Sequence, residues 1–148
     1  MSRTVLATAA ALLLLPLLAF SAPALAARYQ AELDPAPFDA TTRAIVIGSS
    51  GVMSAELTGN TLTIKGSFKD LISNATTGSV RTGLAKAVPG DAIGSLTVSH
   101  AMQGEFSGTV KLNAAGLAAL KRQSLYVRID SEKAPDGHIH GWLEETGN

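Results

Sequence analysis

The chain has no cysteine, which excludes disulfides, thiolate metal ligands and a lipid-bearing cysteine. Aromatic residues are scarce, with four Phe, two Tyr and one Trp in 148 residues, so a place where Tyr and Trp fall together carries information. Charge is balanced at 12 basic against 12 acidic residues, and no run of like charge occurs. Nucleic acid and anionic membrane surfaces are therefore not expected partners. The sequence holds no Gly-x-Ser-x-Gly elbow, no glycine-rich phosphate loop and no assignable Ser/His/Asp set, so it is not expected to be an enzyme.

One apolar run stands out, Val5 to Phe20, broken by Pro16. It is short of the ~20 residues that a membrane span needs. Arg3 precedes it and Ala24-Leu25-Ala26 follows as a small-x-small cleavage pattern, so residues 1–26 read as a signal peptide. Cleavage removes Arg3 and leaves a net charge of about −1. The remaining residues, 27–148, make one domain with no membrane span, expected to be periplasmic or secreted. About 120 residues bury enough surface for a core without disulfide staples.

Within that domain, apolar and polar residues alternate in short segments, the period of a half-buried strand. Arg28 to Leu33 reads as a first strand closed off by Asp34-Pro35-Ala36-Pro37, and Arg43 to Ile47 as a short β-branched segment. Met53 to Leu57 and Leu62 to Lys65 flank Gly59-Asn60, a hairpin signal that pairs Leu57 with Leu62 and Ala55 with Ile64. Leu71 and Ile72 are expected to plug one end of the core; Ser73 to Arg81 is polar and ambiguous. Ile93 to His100 and Glu105 to Leu112 suggest a further hairpin, and Asn113 caps a short helix, Ala114 to Lys121, before the last hairpin. Many strands at short spacing with one small helix predict an all-β antiparallel sandwich or barrel.

The terminal ribbon is the most informative segment. If Asp130 faces His138, then Ile129 meets Ile139, Val127 meets Gly141 and Leu125 meets Leu143 on an aliphatic face. Tyr126, Arg128, His138, His140 and Trp142 then share the other face, a candidate binding surface. His138 and His140, two apart on a strand, point the same way in this reading. With Asp130 they form a candidate Cu or Zn site, short of a full ligand set and disfavoured by Arg128 beside His140.

Several segments also follow a known order: Leu57-Thr58-Gly59-Asn60-Thr61-Leu62-Thr63, Gly66-Ser67-Phe68 with Leu71, Gly104 to Leu112 with the Ala-rich helix, Leu125 to Ile129, and Pro135-Asp136-Gly137 leading to Gly141-x-Leu143. In this the chain resembles the CHRD (chordin) domain family. The resemblance implies an immunoglobulin-like β-barrel, found in bacterial exported proteins and in an animal protein that binds growth factors; no residue motif for that binding can be matched here. Many members of the family carry His-x-His where this chain has Gly78-Ser79-Val80-Arg81, and a His in place of Asp130. The expected function is a non-enzymatic, exported binding or structural module of the cell envelope, with an unidentified protein or envelope partner and no cofactor. The alternative is a periplasmic Cu- or Zn-binding protein using the terminal-strand histidines.

Overall fold

The computed structural model describes residues 25–147; the signal segment proposed over 1–26 lies almost wholly outside them. The firmest hairpin forms as its alternation dictates. β2 (Ser50–Thr58) and β3 (Thr61–Lys69) pair Ala55 with Ile64 and Leu57 with Leu62 around Gly59, whose φ is +63°. Positive φ costs glycine little, so the two-residue turn closes without strain. β1 (Ala27–Pro35) lies antiparallel along the other edge of β2, from Ala27↔Leu57 to Leu33↔Gly51.

The remaining strands are β4 (Ala75–Thr82), β5 (Ala92–Val98), β6 (Gly104–Lys111), β7 (Leu125–Ser131), β8 (Ile139–Trp142) and β9 (Glu144–Glu145). The ladder runs β1-β2-β3-β6-β5-β4-β7-β8 and returns to β1, an eight-stranded antiparallel barrel with β9 as an extra strand on β1. Of the two architectures expected, sandwich or barrel, the closed barrel is the one formed. Closure depends on two strands that change neighbours along their length. β5 pairs β4 through Ala92–Leu96 and β6 through Thr97–Val98, and β1 leaves β2 at Leu33 to meet β8 at Asp34↔His140 and Pro35↔Ile139. Gly141 permits that last approach, because a Cβ there would lie 2.4 Å from the Glu32 carbonyl oxygen.

Leu33, Leu62, Ile64, Phe106, Leu125, Val127, Ile129, Ile139 and Leu143 fill the interior. At ~1.5–3 kcal/mol per fully buried large apolar side chain, this lining is the main stabilising term. α2 (Ala114–Lys121) starts at Asn113, whose side-chain oxygen accepts the Gly116 N–H at 2.9 Å, and turns Ala119 and Leu120 onto one end of the core.

Two expectations are corrected and one open stretch is settled. Arg43 to Ile47 is not extended: α1 (Arg43–Val46) is a four-residue helix. Asp39 starts it, its Oδ1 accepting from the N–H and hydroxyl groups of Thr41 and Thr42. These bonds, the Thr41 hydroxyl first, hold the Asp39 carboxyl well below the ordinary carboxylate range. Leu71 does plug the core, but Ile72 faces solvent. The polar stretch 75–82 is a full strand, with Ala75 and Val80 inside and Gly78 leaving room for Leu96 and Ile129.

Candidate functional site

Leu125, Val127 and Ile129 point into the barrel, so Tyr126, Arg128 and Asp130 stand on its outer wall. The pairing Tyr126↔Trp142 and Arg128↔His140 is the register read from the sequence, and it gathers four side chains on adjacent strands. The Tyr126 and Trp142 rings lie 4.3 Å apart at a 31° tilt, and His140 stands edge-on to them at 6.1 and 6.2 Å. Such stacked and edge-on geometries suit the ring quadrupoles and add ~0.5–1.5 kcal/mol per pair beyond area burial.

Tyr126 is buried despite its outward direction, because the β4–β5 loop folds against it. Its hydroxyl accepts from the Gly90 N–H (3.1 Å) and from Arg81 Nε (3.2 Å), and donates to the Gly90 carbonyl (3.2 Å). The ring is thus clamped on both its phenol end and its face. Trp142, stacked on it, remains partly exposed.

Arg128 and Asp130 form an ion pair on the same wall. Arg128 Nη2 donates to Asp130 Oδ2 at 3.2 Å, and Thr77 Oγ1 donates to the same oxygen at 2.8 Å. The closer Nε–Oδ1 approach, 2.7 Å, lies off the hydrogen-bond axis and is a charge contact only. Burial lowers the His140 imidazole below its ordinary value; Asp34 opposes this and Arg128 reinforces it. His140 is therefore neutral at pH 7, one nitrogen a donor and the other an acceptor.

Beside the aromatic group lies a cleft of ≈ 530 Å³, whose lining includes Gln30, Glu32, Asp34, Lys86, His140, Trp142 and Glu144. Lys86, from the β4–β5 loop, forms an ion pair with Glu144 of β9 across its edge. Both partners are about half exposed, so the bridge adds little stability and marks where loop and strand meet. A larger hollow of ≈ 750 Å³ on β2, β3, β5 and β6 is lined mainly by Ser, Thr and apolar groups, with Lys65 and Glu105 as its charged residues, and its one aromatic, Phe106, belongs to the core. The smaller cleft carries the denser chemistry.

His138 does not join this wall, which corrects its reading as a surface residue paired with His140. It is 0% exposed, and so is Ile139. The strand alternation does not reach back to His138, which lies in the bend between Gly137, at φ +129°, and the start of β8 at Ile139. The His138 N–H bonds the Ile129 carbonyl at 2.8 Å. Its ring closes one end of the barrel, with Nδ1 2.6 Å from Ser131 Oγ and Nε2 2.8 Å from Ser49 Oγ.

The protons in this cluster run one way. Ser73 receives the Lys133 N–H and donates to Ser131; Ser131 also receives the Ala134 N–H, so its own proton goes to His138 Nδ1. Nε2–H then donates to Ser49, which donates to the Asp70 carbonyl. The network assigns His138 as the neutral Nε2–H tautomer. Burial lowers its pKa, with the nearby Ile45 backbone opposing. With both nitrogens occupied indoors, His138 does not share a metal with His140 and Asp130. Among the described residues no cluster of three or more His, Asp or Glu is placed to hold an ion.

Sequence reasoning missed Gln30, Glu32, Asp34 and Lys86 as neighbours of Trp142. They come from β1 and the β4–β5 loop, and no local pattern connects either to the terminal hairpin.

A family model for the CHRD domain matches residues 29–143. The chain belongs to the CHRD domain family. The match spans the barrel from β1 to the end of β8, so the aromatic wall and the buried histidine are both built within the CHRD domain. No curated protein and no solved structure matches the chain significantly. None of the helices among the described residues is long and apolar enough to cross a membrane.

Proposed function

We propose that this CHRD domain is an exported, non-enzymatic module of the cell envelope that acts by binding, through the cleft beside Trp142. The observation carrying this reading is the clamped aromatic wall. Trp142 rests on a tyrosine whose hydroxyl is triply bonded, so its ring is ordered before any ligand arrives. Preorganised aromatic surface is what binding sites use, since little side-chain entropy remains to be lost. The signal-like sequence of residues 1–26 and the family membership support an envelope setting. Against catalysis stands the burial of the Ser–His contacts: His138 and both its serine partners, Ser49 and Ser131, are sealed in the barrel end, and Ser49 donates its proton to a backbone carbonyl.

The test compares sedimentation of the purified domain with isolated envelope material for the parent, Trp142→Ala and Glu32→Lys. Glu32 is exposed, so its substitution reports on the cleft without disturbing the core. Both variants are expected to bind at least about tenfold more weakly, a hot-spot-sized loss, while circular dichroism stays that of the parent. Unchanged sedimentation of both variants would remove this cleft from the function.

A further inference from the structure

The same cleft also limits the chemistry of what it holds, and the following rests on its being the binding site. Its aromatic end favours neither sign of charge, because His140 is flanked by Asp34 of β1 on one side and Arg128 of β7 on the other. His140 itself is held neutral there. Its open end disfavours an anion: Glu32, Asp34 and Glu144 face a single ammonium, Lys86, which is already engaged by Glu144. A wholly apolar ligand would strip water from those carboxylates and return no hydrogen bond.

The ligand that uses the whole lining, indole face, amide, neutral imidazole and carboxylate acceptors, is an uncharged molecule with one apolar face and many hydroxyls. We infer that the cleft binds a neutral carbohydrate, with the Trp142 indole against the C–H face of one sugar ring. A pyranose turns its axial C–H bonds to one side and its hydroxyls to the rim. Gln30 offers both donors and acceptor, neutral His140 one of each, and the carboxylates accept hydroxyl protons. The volume, ≈ 530 Å³, lies within the range of small-ligand sites.

Trp142 is the one Trp of the chain, so its fluorescence reports on this cleft alone. The full mature chain is titrated with neutral cello-, malto- and chito-oligosaccharides, and with trilysine and oligogalacturonate as charged probes. The expected result is a saturable change in indole emission with at least one neutral series and none with the charged probes. By calorimetry, Glu32→Gln combined with Asp34→Asn is expected to weaken that affinity about tenfold, with an unchanged melting midpoint. Saturation by a charged probe alone, or silence from every neutral series, overturns the carbohydrate assignment. Either result leaves the binding function standing as long as Glu32→Lys still lowers envelope sedimentation; if that effect is also missing, both readings fall together.

Discussion

Removing the His138 ring tests the account of the barrel end most directly. The His138→Ala change empties a fully buried position and orphans the Ser131 hydroxyl, while Ser49 loses its donor. Large-to-small core changes cost ~2–5 kcal/mol, and an orphaned buried polar group adds ~1–3 kcal/mol when the site does not relax or admit water. Partial relaxation sets the expectation at about 3–5 kcal/mol, or on the order of 10–20 °C in melting midpoint for a domain of this size. Urea unfolding at pH 7.5, followed by circular dichroism, measures it.

The pH dependence is a second arm of the same experiment. Both His138 and His140 are lowered by burial, so the unfolded chain, with histidine near pKa ~6.5, takes up protons first. Stability is therefore complete above about pH 6.5 and is lost as pH falls through the folded values, by up to ~1.4 kcal/mol per pH unit for each group. His138→Ala should remove its share of that slope and leave that of His140. Ser131→Ala should cost less than His138→Ala and couple to it by about 1 kcal/mol or more in a double-mutant cycle. A His138→Ala penalty under about 1 kcal/mol, or wild-type stability flat from pH 7 to 5, would refute the one-directional network.

Gly141→Ala should destabilise by about 1–3 kcal/mol, because the new Cβ meets the Glu32 carbonyl across the seam that closes the barrel; thermal unfolding measures this, and a neutral change would mean the seam is loose. Tyr126→Phe should cost about 1–2 kcal/mol and speed amide exchange at Gly90, whose N–H loses its acceptor; unaltered exchange there would show that the loop is held by other contacts. Calorimetry with Cu or Zn, at a temperature where both proteins are folded, should give the same heats for His138→Ala as for the parent. A loss of heat in the variant would restore the paired-imidazole site.

Much of this molecule was legible in its residues. Alternation with Gly59-Asn60 between the runs set the β2–β3 register, and alternation in the terminal ribbon set Tyr126 against Trp142 and Arg128 against His140. Asn113 announced its helix. Each of these depends on neighbours close in sequence, where period and turn chemistry leave one arrangement that buries the apolar side. The segment 43–47 misled because β-branched residues suit a strand only when an edge is available, and here Asp39 and the threonines organise a helical turn instead.

Other features needed the closed ladder. β1 meets β8 across more than a hundred residues of chain, and only that meeting sets Gln30, Glu32 and Asp34 beside Trp142. His138 turned inward where one glycine took a positive φ and where the end of β7 and the α1–β2 loop each offered a serine hydroxyl to a ring nitrogen. A period-2 pattern assigns sides on the assumption that the backbone stays regular. It gives no warning of a single rotated residue, nor of which distant strand will cover a face; the sequence by itself determined the strands and their local partners, and long-range closure decided which side chains share the cleft and which imidazole is sealed away.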